Sequence, residues 1–188
     1  MVYILLAEGF EEMEALVPAD LLRRAGVEVV LVGLDAPTIS GGHGIAVATD
    51  LLLEQVRLQP SDMLVLPGGM VGVTNLQNSP AAMALIQEAY DLKCWLAAIC
   101  AAPTLLGRLG LLDDRSAVCY PGMEGQLGRA CAQPERHVVV DGRVITSRAA
   151  GSAFEFGFTL VELLTNSTKA EEIRNGIHYC TGKNSAAC

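Results

Sequence analysis

The chain has 188 residues, a formal net charge of −8 and a hydrophobic fraction of 51%, with a mean hydropathy of +0.37 and a pI of about 4.8. This length corresponds to about one domain with a sizeable core, and the acidic balance argues against a surface for nucleic acid or anionic membranes. No apolar run approaches the roughly 20 residues of a membrane span.

The first half of the chain alternates between predicted strands and helices. Apolar runs bounded by turn residues predict strands over Val2–Ala7, Glu28–Leu34 and Asp62–Leu66, and a short hairpin after the turn Gly41-Gly42-His43-Gly44, over Ile45–Thr49. Start and stop signals predict helices over Glu11–Ala25, ended by Gly26, and from Ser79-Pro80 to about Leu92.

The second half continues the alternation. Strands are predicted over Trp95–Ile99, Ala117–Tyr120, Val138–Val140 and Val144–Thr146, the last two joined at Asp141-Gly142. Helices are predicted over Pro103–Leu109, over Ser152–Leu164 and after the capping box Thr168-Lys169-Ala170-Glu171. The pattern predicts an α/β domain over residues 1–180, with a doubly wound, mostly parallel sheet between two helix layers, and a frayed tail over 181–188.

Ligands bind beyond the carboxyl ends of the strands in sheets of this kind. The segments that follow predicted strands are therefore expected to meet at one pocket: Glu8–Glu14, Gly68–Met70, Cys100–Pro103 and Tyr120–Gly122.

Cys100 is the strongest candidate for chemistry. It lies between the buried run Trp95–Ile99 and the small residues Ala101-Ala102, just before a helix start at Pro103. A sharp turn between a strand and a helix pushes a nucleophile out of the sheet, as in a nucleophile elbow. The amides of the helix start favour a thiolate, so we expect a thiol pKa well below the roughly 8.5 of free cysteine.

Glu14 allows two interpretations. It shares a helical stripe with Val17 and Leu21, which predicts a core-facing carboxyl with a raised pKa that donates a hydrogen bond to the thiolate. Alternatively, it is an exposed acid at a helix start, like Glu11 and Glu12.

Other candidates carry weaker signals. The amides of Gly68-Gly69 are placed to hold an anion, although most such pairs are only turns. A cysteine nucleophile usually needs a histidine base, and only His43 lies in a loop that could reach the pocket; surface histidines are the simpler interpretation of His43, His137 and His178. Cys119, at a predicted strand end, could resolve an oxidised Cys100.

Three ordered motifs resemble the ThiJ/PfpI superfamily, and within it the branch of the human parkinsonism-associated deglycase and bacterial YajL. They are Glu11-Glu12-Met13-Glu14, Leu66-Pro67-Gly68-Gly69 and Ala97-Ala98-Ile99-Cys100-Ala101-Ala102-Pro103. The similarity extends from about Val2 to Leu164.

The resemblance implies a flavodoxin-like homodimer with Cys100 as nucleophile, Glu14 as its protonated partner, and an anion pocket at the Gly69 and Ala101 amides. The chain departs from the family pattern at Tyr120-Pro121, where the human protein has a histidine before proline, so this part of the pocket lining offers no base. The sequence Ala149-Ala150-Gly151 also replaces Gly-Pro-Gly at the pocket rim.

The resemblance leaves two function classes open. One is an enzyme, without cofactor or metal, that acts on small dicarbonyls or their adducts as a glyoxalase or deglycase. The other is a redox-responsive chaperone or stress sensor that works through oxidation of Cys100. A peptidase or amidotransferase-like hydrolase is weaker, because no histidine is placed as a base.

The first residues read as a strand and not a leader, and the six cysteines have irregular spacing, so we expect reduced thiols in a cytoplasmic protein.

Overall fold

The computed structural model describes residues 1–180; the tail over 181–188, predicted to be frayed, lies outside the described residues. Eleven strands form, namely β1 (Val2–Leu6), β2 (Val29–Gly33), β3 (Thr38–Ser40), β4 (Ala46–Ala48), β5 (Leu51–Leu52), β6 (Met63–Leu66), β7 (Trp95–Ile99), β8 (Ser116–Ala117), β9 (Cys131–Ala132), β10 (Val138–Asp141) and β11 (Val144–Ser147). Six α-helices form in the same range, namely α1 (Glu12–Arg24), α2 (Met70–Asn78), α3 (Pro80–Asp91), α4 (Pro103–Arg108), α5 (Ala153–Leu164) and α6 (Ser167–Gly176). No helix within residues 1–180 is long and apolar enough to cross a membrane.

A seven-stranded sheet organises the molecule, in the order β10-β11-β7-β6-β1-β2-β5. All neighbouring pairs are parallel except the β10–β11 hairpin at one edge. The chain runs from β1 outward to β2 on one side and later to β6 on the other. The strand order therefore reverses between β1 and β6, which is where such sheets bind ligands.

Alternating side chains divide the buried strands between two cores. On β1, Tyr3 and Leu5 pack in one core, while Ile4 and Leu6 pack in the other. The first core is completed by α2, α3 and α4, and the second by α1, α5 and α6. Both faces of the sheet are covered, which explains the high hydropathy and confirms the predicted two helix layers.

Three local predictions need correction. The segment Ala117–Tyr120 does not join the main sheet, because β8 pairs with β9 in a separate two-stranded sheet. The last helix is capped by Asn166, whose side chain accepts the Lys169 amide at 2.9 Å, and not by Thr168. Helix α2, after Gly69, was not expected.

Candidate active site

Cys100 occupies a sharp turn at the carboxyl end of β7. Its φ is +66°, a left-handed conformation that costs an L-residue roughly 1–2 kcal/mol. Two backbone bonds hold the turn: the Cys100 amide donates to the Ser147 carbonyl at 2.9 Å, and the Tyr120 amide donates to the Cys100 carbonyl at 2.7 Å. These bonds tie the elbow to β11 and to the loop after β8. Because Ser147 contributes its backbone carbonyl and not its side chain, the sequence gives no indication of this role.

Glu14 projects from the first turn of α1 into the core and is 0% exposed. Its Oε2 accepts the Gly68 amide at 2.8 Å, and within residues 1–180 its Oε1 accepts no hydrogen bond. Burial raises the pKa of the Glu14 carboxyl to about 7, against opposing contributions from Cys100 and the Gly68 amide. The side chain of Glu14 therefore faces the core and has a raised pKa, as the first of the two interpretations predicts, whereas a hydrogen bond donated to the sulfur stays a prediction.

Gly68 allows Glu14 and Cys100 to approach each other. A Cβ at this position would lie 2.5 Å from Glu14 Oε2 and 2.7 Å from Cys100 Cβ, well inside van der Waals contact. Only glycine fits between the two side chains. The Gly68 amide is committed to Glu14, so it is not free for the anion pocket in which the sequence placed it.

The Gly69 and Ala101 amides face the Cys100 sulfur. Hydrogen bonds from both lower the pKa of the thiol, but burial, followed by the negative charge of Glu14, outweighs them and raises the pKa to about 12. This direction is opposite to the lowered thiol pKa that the sequence leads us to expect.

The predicted meeting of loops at the strand ends is confirmed. Glu14 follows β1, Gly68 follows β6 and Cys100 follows β7, three adjacent strands. Tyr120 reaches the same place through its bond to Cys100. The Tyr120 and Pro121 side chains are exposed beside the elbow, where they can line an entrance.

His43 is engaged with α1. Its Nδ1 lies 2.9 Å from Glu12 Oε2 and 3.5 Å from Glu11 Oε2, and its side chain is 70% exposed. Glu12 is buried, so comparing it with exposed helix-start acids was wrong; a Cβ on Gly41 would overlap its carboxylate. Within residues 1–180 these three side chains are the one group that brings metal-ligand atoms within 4.8 Å of one another. His43 therefore contacts Glu12 and joins the hairpin loop to α1.

The other thiols differ from Cys100 in their surroundings. Cys119 is buried, and burial together with the charge of Glu124 raises its pKa to about 11, which disfavours the thiolate that a resolving cysteine needs. Cys94, Cys100, Cys119 and Cys131 are free.

Residues 1–163 match the model of the DJ-1/PfpI family. The chain belongs to the DJ-1/PfpI family. It is 36% identical over 175 residues to the Parkinson disease protein 7 homolog of Danio rerio, covering 91% of this chain and 93% of that protein. Its fold matches the crystal structure of Drosophila melanogaster DJ-1beta with a TM-score of 0.90 and 34% identity, over 96% of this chain and 98% of the other.

Two relatives carry names that describe an activity. The glutathione-independent glyoxalase DJR-1.2 of Caenorhabditis elegans is 29% identical over 170 residues, covering 90% of this chain and 91% of that protein. The deglycase PH1704 of Pyrococcus horikoshii is 30% identical over 164 residues, covering 87% and 98%.

Proposed function

We propose that this protein is a cofactor-independent cysteine enzyme that converts small dicarbonyls, or their adducts with amines and thiols, into 2-hydroxy acids. The observation that carries the proposal is the neighbouring pair of the buried Glu14 and the half-buried Cys100, in which the carboxyl has a pKa of about 7 and the sulfur faces two backbone amides. A base is most effective when its pKa lies near the working pH. The names of two relatives, a glyoxalase and a deglycase, support the same chemistry.

The first step is addition of sulfur to the aldehyde carbon. Ionised Glu14 removes the thiol proton as the Cys100 sulfur attacks, which avoids a free thiolate whose formation burial opposes. The amides of Gly69 and Ala101 hold the negative charge that develops on oxygen or sulfur. With methylglyoxal the product is a hemithioacetal on Cys100, and the proton stays on Glu14 until the oxyanion accepts it.

The second step moves hydrogen between the two carbons of the substrate. Glu14 removes the proton from the former aldehyde carbon, giving an enediolate, and returns it to the neighbouring carbon. The intermediate is now a thioester of lactate on Cys100. Water hydrolyses it to lactate and restores the thiol, so methylglyoxal and one water become lactic acid. In the adduct case, Cys100 displaces the amine or thiol at the same carbon.

The proposal is tested by lactate formation from methylglyoxal without any added cofactor. Cys100→Ala is expected to abolish formation, and Cys94→Ala, which removes another free buried thiol, is the matched control that retains it. Equal rates for Cys100→Ala and the unchanged protein would remove the mechanism. Thioester trapping with hydroxylamine distinguishes covalent turnover from solution chemistry.

A second candidate function is redox sensing at the same thiol, possible because two amides face the sulfur. Two equivalents of peroxide convert a thiol into a sulfinate with release of two waters. The Gly69 and Ala101 amides and a protonated Glu14 would bind the sulfinate oxygens. Intact-mass analysis after mild peroxide treatment tests it: oxygen uptake at Cys131, the exposed free thiol, without uptake at Cys100 would contradict it. A hydrolase remains weaker, because His43 is engaged by Glu12.

We also propose that the protein is a homodimer built on the first half of α1. Four large apolar side chains are exposed around its start: Met13, Ile45, Met70 and Val71. They come together because the hairpin packs on α1 through Glu12, which accepts from the Ile45 amide at 3.4 Å, and α2 packs on the loop after β1 through the bond from Gly72 to Gly9.

A cytoplasmic location is proposed from the free thiols, and cell fractionation tests it.

A further inference from the structure

A cavity lies at the opposite end of the sheet from Cys100. Its volume is about 540 Å³, within the roughly 300–1,000 Å³ of sites that hold small molecules. It opens at the amino ends of β7 and β11, where Cys94 and Arg143 immediately precede the two strands. β7 has five residues, so about 16 Å of strand separates this cavity from the elbow. The two sites are therefore physically distinct.

Three basic side chains line this cavity: Lys93, Arg115 and Arg143. Arg115 is ion-paired, with Nη1 3.2 Å from Asp141 Oδ1. In the part of the chain that the structure describes, Lys93 and Arg143 form no ion pair. The chain as a whole carries a charge of −8, so two unpaired cations facing one concave surface form a local exception to the acidic surface.

Arg143 is held in position by its neighbours, and some of its N–H groups remain free to donate to a ligand. Its Nη1 donates to the carbonyls of Pro60 at 3.2 Å and Lys93 at 2.7 Å, and its guanidinium lies 5.5 Å from the centre of the Trp95 ring. Both bonds use Nη1, so Nη2 and Nε keep N–H groups for a ligand. A guanidinium oriented in this way is suited to bidentate recognition of a carboxylate or phosphate.

Two carboxylates beside the cavity, those of Asp141 and Asp91, differ in their partners. Asp141 accepts from Arg115 and from the Ser116 amide at 2.9 Å. Asp91 accepts from the neutral Gln87 amide at 2.9 Å, so it keeps its negative charge at the edge of the cavity, but within residues 1–180 it forms no ion pair with Lys93 or Arg143. The remaining wall is formed by less polar groups, among them the half-buried Tyr90 and the buried Val144.

We propose that this cavity binds a small organic anion, with its carboxylate or phosphate held by Arg143 and Lys93 and its apolar part against Tyr90 and Val144. The site is independent of the chemistry at Cys100.

The experiment is calorimetric titration of the full chain with phenyl phosphate and with benzoate, at low ionic strength. One equivalent is expected to bind, with an affinity that falls as salt is added. Comparison of the two probes shows whether phosphate or carboxylate is preferred. Phenol tests the need for the charge, and inorganic phosphate tests the need for the apolar part; both are expected to bind at least about tenfold more weakly.

Variants locate the site. Lys93→Gln and Arg143→Gln are each expected to weaken phenyl phosphate binding by about tenfold; Lys93→Gln matters because, within residues 1–180, this exposed side chain holds no partner whose loss would disturb folding. Arg108→Gln removes an exposed charge elsewhere and is the matched control, expected to change nothing, as is Cys100→Ala. The proposal is overturned by absence of binding at millimolar probe, by binding that survives both cavity variants, by an equal loss in Arg108→Gln, or by equal affinity for inorganic phosphate.

Discussion

Glu14 and Cys100 lie close enough that each affects the pKa of the other. Burial acts on both groups in the same direction, and it is the first cause of each raised pKa. The Gly68 amide stabilises one oxygen of Glu14, whereas two amides face the sulfur. When Glu14 is ionised, its charge favours the thiol form of Cys100, which is the state that the proposed base mechanism requires.

This description predicts the effect of Glu14→Gln on the thiol. Glutamine keeps a similar shape but removes the negative charge that raises the pKa of Cys100, so the pKa of the thiol is expected to fall. The ultraviolet absorbance of the thiolate, followed against pH, measures it, and Cys100→Ser identifies the signal. An unchanged or higher pKa in Glu14→Gln would show that Glu14 is protonated in the unchanged protein.

A pH profile follows from the same carboxyl. If Glu14 is the base, it must be ionised, so kcat/KM is expected to rise with pH up to about 7 and then level off. Below that point the rate falls about tenfold per pH unit. Initial rates of lactate formation between weakly acidic and weakly basic pH test this. A rate that keeps rising well above neutrality would assign control to the thiol instead.

The raised pKa of Glu14 also predicts a stability difference. The folded carboxyl titrates near 7 and its ordinary value is 4.5, so the folded protein binds more protons between these pH values and loses stability as pH rises through them. The loss approaches about 3 kcal/mol above pH 7. Glutamine does not titrate, so the free energy of unfolding of Glu14→Gln, relative to that of the unchanged protein, is expected to be higher above pH 7 than below pH 4.5. Urea unfolding of both proteins at an acidic and a basic pH measures this change. A constant difference would contradict the prediction.

At the scale of elements, the loop after β6 determines how α1 and β7 meet. Gly68→Ala is expected to reduce activity by at least about a hundredfold, since the new Cβ displaces Glu14, Cys100 or both. Gly125→Ala, where a Cβ meets nothing within 4 Å, is the matched control. Lactate formation and urea unfolding are measured together. A fully active Gly68→Ala would mean that the two side chains need not touch.

The sequence predicted the elements that carry the site more completely than it predicted the site's electrostatics. The strands β1, β6 and β7 follow from uninterrupted apolar runs, which only a sheet covered on both faces can bury. Helix α2 was missed because Gly72 and neighbouring valines are poor helix formers, and tertiary contact between Gly72 and Gly9 compensates. Asn166, Ser167 and Thr168 can all cap a helix, so only the structure selects the first. The thiol pKa depends on burial and on the distance to Glu14, neither of which is visible in spacing.

At the scale of the whole molecule, the exposed apolar side chains near α1 predict association. Met13→Lys is expected to shift a dimer toward monomer, because a charge buried in the interface has no partner. Val140→Lys alters an exposed valine on the edge strand β10 and is the control. Light scattering at micromolar concentration compares them. A monomeric unchanged protein, or equal masses for all three, would contradict the proposed dimer.

The division of each central strand between two cores has a consequence for how this chain can change. Ala97 packs in one core and Ala98 in the other, so substitutions within β7 alter one layer at a time. Removing or adding a residue there would instead exchange the two faces for the part of the strand beyond the change, sending those side chains into the opposite core and turning the elbow away from Glu14. Related sequences should therefore vary in side-chain size along β7 while keeping its length fixed, and length changes should collect in the hairpins and outer loops.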